Sequence, residues 1–294
     1  MVTLDDLLKT LKRVDVKNIG DRIIQEAYEA AKNPDFKSII ASWEEGDKLI
    51  FKISTKYITK GIISKNKPVS FYDFPTSRIS LSFEDAARRS IKKYFNKTEV
   101  NKAYNIKVYD NIDIQANYEM KILDKNVIFH IYGRPDLIIY CYPKKNYESL
   151  TPIIYIFEIK TYDIKGRKGV NIKRICGEWI LQTIVYKILL EDALRNSSRE
   201  GLPSSLRNVN GEVKIKYYLL VIEYSLGSVY HPVLLNHWRK LFRGVKIYEI
   251  DKKLEETVRK EMMEFLKRIA EEEVKKQNRK KERLKSFINN LRNF

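Results

Sequence analysis

The sequence predicts an α/β fold, a mixed central sheet flanked by helices. Three observations carry this expectation. Short apolar runs rich in β-branched and aromatic residues recur at 118–123, 127–132, 135–142, 155–160 and 213–224, with the length and composition of strands. Two longer segments, 82–95 and 173–194, repeat apolar residues at helical spacing. Along the chain these follow as helix, strands, helix, strand, the pattern of a sheet with helices on its faces.

With 294 residues, 44% of them hydrophobic, the chain can bury a sizeable core and is not of the disordered class. Its 56 Lys and Arg outnumber 38 Asp and Glu, giving a formal charge of +18. Ion-pair networks need both signs, so this excess suits a polyanionic partner, nucleic acid or an anionic membrane surface. No run of about 18 apolar residues occurs, and no membrane partner is expected. The first residues, MVTLDDLLKTLKRV, carry early acids and no apolar signal core. Cys141 and Cys176 stand far apart without CxxC spacing, which points to a reducing, cytoplasmic setting and away from zinc fingers. His130, His231 and His237 form no HxxxH pair, so a histidine metal site is not expected.

Taken in order, residues 3–13 put Leu4, Leu7, Leu8 and Leu11 on one helical face. Residues 21–32 repeat the pattern until Asn33-Pro34 stops it. LIFKIS and YITKGII, within 38–66, read as short strands, and 67–80 as irregular, with Tyr72 and Phe74 packed rather than free to stack on bases. Ser82 reads as the N-cap of the next helix, with acids in its first turn and Phe83, Ala86 or Ala87, Ser90, Ile91 and Tyr94 on its buried side. Residues 96–116 are polar, with a short strand at 105–109. The strands at 127–132 and 135–142 read as one, kinked at Gly133-Arg134-Pro135. A basic loop spans 161–174, a polar linker 195–211, a short helix 231–242 and a strand 245–250. From 251 onward one long helix, or two, carries an apolar stripe of Leu254, Val258, Met262, Phe265, Leu266 and Ile269. Its end, 274–294, holds eight Lys or Arg against Glu282 alone. The expected layout is an N-terminal helical or mixed region (1–80), a core (81–250) and a basic C-terminal helical extension (251–294).

The chemistry concentrates between Gly133 and Lys160. Two apolar runs separated by a polar turn read as neighbouring antiparallel strands. Glu158 and Lys160, two apart, share one face of a strand otherwise apolar, where unpaired charge is costly. Asp136 on the adjacent strand can reach them. Two carboxylates and an amine converging on one point suit a hard divalent cation with a neighbouring group that orients or deprotonates water. On the following helix Gln182 and Tyr186 are four apart and share a face.

These residues, Pro135-Asp136, then Glu158 and Lys160, with a QxxxY on the next helix and the order α-β-β-β-α-β, resemble the PD-(D/E)xK nuclease superfamily. The QxxxY is similar to that of its RecB-like branch, which includes recombination exonucleases and the nucleases of CRISPR spacer acquisition. The resemblance covers roughly residues 82–224 and implies a restriction-endonuclease-like core. It implies a nuclease, exo- or endo-, that hydrolyses DNA phosphodiester bonds with Mg²⁺ or Mn²⁺. In that reading Asp136, Glu158 and the backbone carbonyl of Ile159 hold the metal. Lys160 orients or deprotonates the water or stabilises the phosphorane-like charge, its pKa depressed by the cation. Gln182 and Tyr186 position Lys160, the metal shell or a DNA phosphate; read alone, these two fit a packed helix face nearly as well. Glu84 supplies an additional acid, for a second metal or its water shell, where the branch often has a histidine; read alone, such a residue is more often a simple first-turn acid. Some relatives hold an iron–sulfur cluster with four cysteines, and two cysteines cannot, so that cluster is not expected.

Lys165, Arg167, Lys168, Lys173 and Arg174 follow the site strand and either grip phosphates or form a solvated loop. The C-terminal helix offers its Leu and Phe face to a protein partner. The rival reading is a catalytically inactive nucleic-acid-binding or complex subunit on a nuclease scaffold. His130 reads as a core histidine.

Overall fold

The structure is a computed structural model describing residues 40–64, 78–98, 100–163, 172–195, 202–209, 211–224, 242–250 and 252–292. The helices expected at 3–13 and 21–32 lie outside these residues, as does the one expected at 231–242 except for Phe242, which is a strand residue. Nine strands are described: β1 (Ile40–Glu45), β2 (Lys48–Ser54), β3 (Tyr104–Asp110), β4 (Ile114–Ile122), β5 (Lys125–Gly133), β6 (Leu137–Pro143), β7 (Ile153–Asp163), β8 (Lys214–Tyr224) and β9 (Phe242–Glu249). The described helices are α1 (Thr55–Ser64), α2 (Arg78–Lys97), the short α3 (Val100–Ala103), α4 (Ile172–Arg195), the short α5 (Ser204–Arg207) and α6 (Lys252–Arg292).

The fold is mixed α/β, but the strands form two mixed sheets where the sequence suggested one. Sheet one runs β1-β2-β5-β4 and sheet two β3-β6-β7-β8-β9. β2 pairs parallel to β5, and β7 parallel to β8; the other neighbours are antiparallel. The expected kinked strand is the crossing between them, with β5 in the first sheet and β6 in the second. Arg134, Pro135 and Asp136 pair in neither, and Pro135 has no N–H to extend a ladder.

Alternation along β6 and β7 sorts side chains onto the two faces of sheet two. Ile138, Tyr140, Ile154 and Ile156 face one core, built with Ile184, Val185, Ile188 and Leu189 of α4. Leu137, Ile139, Cys141, Phe157 and Ile159 face the other, built with Phe83, Ala86, Ala87, Ile91 and Phe95 of α2. Helix α2 begins at Arg78, one turn before the Ser82 expected to cap it.

YITKGII was expected as a strand and lies instead in α1. Tertiary packing overrides its β-branched composition. A Cβ on Gly61 would stand 2.2 Å from Cε2 of Phe265, so glycine lets α1 lie directly against α6. The same core takes in Leu49 and Phe51 of β2, Ile58 of α1, and Val258, Met262, Phe265 and Leu266 of α6, so residues 40–64 and the C-terminal helix pack on the strands between them. Charges fasten α6 to α4: Lys187 Nζ donates to Glu255 at 2.5 Å, and Arg259 Nη1 donates to both oxygens of Asp192 at 2.7 and 3.0 Å. Beyond Val274 the basic stretch expected there continues as the same helix to Arg292, with Lys275, Lys276, Lys280 and Lys281 exposed.

Candidate active site

The β6–β7 ladder ends at Leu137 opposite Phe157, while β7 continues to Asp163 beside β8. The next opposed pair in that register is Asp136 and Glu158, and the one after is Pro135 and Ile159. Asp136 Oδ2 accepts the Ile159 N–H at 2.8 Å. In an antiparallel pair a residue's N–H and C=O point to the same neighbour, so the Ile159 carbonyl also leaves β7 on the Asp136 side. The residue facing it is a proline, with no N–H to offer.

Glu158 and Lys160 share the α4 face of β7 with Ile154 and Ile156. Glu158 is buried (2% exposed) and Lys160 donates a hydrogen bond to its Oε1. The other oxygen, Oε2, is buried without a hydrogen-bond partner among the described residues. Thr161 points to the opposite face, where its hydroxyl donates to Glu84 of α2 at 3.4 Å. Arg88, one turn after Glu84, brings Nη1 to 3.9 Å from Asp136 Oδ1. Asp136, at the open end of the ladder, therefore joins Glu84 and Arg88 on one face to Glu158 and Lys160 on the other.

Behind this cluster, Gln182 Nε2 donates to the Tyr186 hydroxyl at 2.7 Å, and the Thr55 side chain adds a further hydrogen bond. Gly133 makes the fit possible. A Cβ there would stand 2.5 Å from Cγ2 of Thr55 and 2.6 Å from Cε1 of Tyr186. Thus Asp136, Glu158, Lys160, Gln182, Tyr186 and Glu84, all singled out from the sequence, come together. Lys165, Arg167 and Lys168 lie outside the described residues; Lys173 and Arg174 fall in the first turn of α4. His130 is half-buried in β5, its Nδ1 2.8 Å from Asn117 Oδ1. Arg88, Thr55 and Thr161 were not anticipated. The four-residue step from Glu84 to Arg88 was the one signal available for Arg88.

The electrostatics follow from crowding. Burial, with the charge of Asp136, pushes the Glu84 carboxyl up to about 7. Burial also raises Glu158; Asp136 adds to this and Lys160 opposes it. For Lys160, burial works against the charge, but Glu158 and Asp136 outweigh it and hold the ammonium protonated. The depression expected from the sequence depends on an added cation; the protein's own charges act in the opposite direction. Burial and Glu158 push the Tyr186 phenol up, so it stays neutral.

Among the described residues no three His, Cys, Asp or Glu side chains form a ready-made metal cage. The donors that fit a hard cation are Asp136, the unpartnered Glu158 oxygen and the Ile159 carbonyl, all oxygen, with Glu84 beside them. No helix in the described residues is long and apolar enough to cross a membrane.

Comparison with known proteins adds little to this geometry. No family model matches the chain, and no curated protein matches it. The solved structure of SSO0001 aligns over 82% of this chain and 82% of its own, at 13% identity and a TM-score of 0.32, a likeness too weak to carry an argument about fold or function.

Proposed function

We propose that this chain is a metal-dependent nuclease of the PD-(D/E)xK type, RecB-like in its helix motif, that hydrolyses phosphodiester bonds of DNA. One observation carries the reading. Asp136, Glu158 and Lys160 meet where β6 and β7 part, and Glu158 keeps a buried oxygen without a partner. The order α2, β3, β6, β7, α4, β8 supports it too. It follows the α-β-β-β-α-β of that superfamily's restriction-endonuclease-like core, with the β4–β5 hairpin turned aside into the other sheet.

Asp136, Glu158 and the Ile159 carbonyl would hold Mg²⁺ or Mn²⁺, with Glu84 close enough to take part. The bound ion supplies an acidified water and positive charge beside the scissile phosphate. Lys160, tethered to Glu158, orients that water and carries positive charge toward the phosphate. Gln182 and Tyr186 brace the α4 side; Tyr186 neutral and hydrogen-bonded is a positioning group rather than a base. Asp136 keeps the β6–β7 mouth open by taking the Ile159 N–H.

The test compares linear and covalently closed circular DNA, single- and double-stranded, in Mg²⁺, Mn²⁺ and EDTA. Metal-dependent cleavage by the wild type, lost in Asp136→Asn and Lys160→Ala, is expected. Cleavage that persists in EDTA, or in both variants at the wild-type rate, refutes the proposal. Salt-sensitive DNA binding with no cleavage in either metal would favour the inactive binding subunit instead.

A further inference from the structure

Arg88 differs from its neighbours on α2. Arg89 hydrogen-bonds Asp85, and Lys92 hydrogen-bonds Asp110. Arg88 points into the candidate site, its side chain 18% exposed, and approaches Asp136 only to 3.9 Å, beyond hydrogen-bonding distance. Across the cluster Lys160 is committed directly to Glu158. Arg88 is thus the loosely held cation of the site, and its planar fork of donors suits two oxygens of one phosphate.

The charge balance points the same way. In ionised form, three carboxylates (Glu84, Asp136, Glu158) face two cations (Arg88, Lys160), leaving one formal negative charge. A divalent cation turns that into one positive charge, and a single phosphodiester neutralises it. Asp136 cannot serve Arg88 and a metal ion equally, because both draw on the same carboxylate.

We propose that Arg88 is a phosphate anchor held in reserve by Asp136: a divalent cation on the carboxylates releases its guanidinium to a backbone phosphate of the nucleic acid. This rests on the nuclease reading above. The two ligands are then coupled through one side chain, since the cation competes with Arg88 while the phosphate receives it.

The coupling is tested on the full chain with Arg88→Gln, which removes the charge, and Arg88→Lys, which keeps it without the fork. Isothermal calorimetry with Mn²⁺ alone is expected to show Arg88→Gln binding at least about threefold more tightly than the wild type, and Arg88→Lys near the wild type. An oligonucleotide, titrated with Ca²⁺ and separately with EDTA, is expected to lose about tenfold in affinity for both variants with Ca²⁺ and less than twofold with EDTA, in line with a charge-assisted bidentate contact. Unchanged Mn²⁺ affinity in Arg88→Gln, or an equal loss with Ca²⁺ and EDTA, overturns the proposal. If the wild type itself neither binds Mn²⁺ nor cleaves, the nuclease reading has failed and this falls with it. If the wild type does both and the variants match it, only the role of Arg88 is lost.

Discussion

Asp136 accepts the backbone N–H of Ile159 at 2.8 Å, one step past the last rung between β6 and β7. A side chain thus stands where the facing strand's carbonyl would have stood. Asparagine offers the same acceptor without the charge. Asp136→Asn is therefore expected to melt within about 2 °C of the wild type while cleavage falls by at least about a hundredfold, since even groups outside a metal's first shell of ligands cost 10- to 100-fold. A thermal melt and a cleavage time course on the same preparation check both halves.

Lys160 tests the other half of the site. Its removal strands Glu158, which is 2% exposed, without its cation. A buried charge left unpaired costs about 3–5 kcal/mol, but a carboxyl that takes up a proton escapes most of that. Lys160→Ala is thus expected to lose cleavage at every pH and to be destabilised more at pH 8 than at pH 5. Denaturant melts at the two pH values measure the difference, and equal destabilisation would contradict the pairing.

Gly133→Ala places a methyl group where Thr55 and Tyr186 already stand. Overpacking of this kind costs about 1–3 kcal/mol, or about 2–12 °C in Tm. The displaced ring carries the hydrogen bond from Gln182, so cleavage is expected to fall by more than tenfold even at temperatures where the variant is fully folded. Circular dichroism at the assay temperature separates the two effects.

Glu84 gives a pH signature. Its folded-state pKa is raised to about 7 from an ordinary value of 4.5, foremost by burial. Between those values the folded protein keeps a proton that the unfolded chain has released, so stability falls as pH rises through this window. The contribution is about 3 kcal/mol at most. Glu84→Gln is expected to flatten the decline without abolishing it, because Glu158 is raised in the same direction. Denaturant midpoints from pH 4.5 to 8 read this out.

Much of the site was legible because its chemistry violates local pattern. Glu158 and Lys160 are charges on the inward face of an apolar strand, and such exceptions stand out against alternation. The helices α2 and α4 were legible from their periodicity, and the strands β6, β7 and β8 from short apolar runs rich in β-branched and aromatic residues. The helix at Thr55–Ser64 was not, because its cause lies over two hundred residues away in the ring of Phe265. The division into two sheets was hidden for a related reason: the parallel pairing of β2 with β5 joins segments far apart in the chain. Arg88 was hidden because an arginine on a helix is ordinary until the strand it faces is known.

The strand β5 also acts as a ruler. One end, Lys125, donates to Gln277 of α6 at 3.1 Å, just where that helix enters its exposed basic stretch. The other end, Gly133, lies against Tyr186. Eight steps of about 3.3 Å between its nine residues set these ends about 26 Å apart, and the hydrogen-bonded neighbours on both sides of β5 leave no hinge between them. In duplex DNA at about 3.4 Å per base pair, that separation is about eight base pairs. Any ligand that touches both Gln277 and Tyr186 must therefore span at least that length.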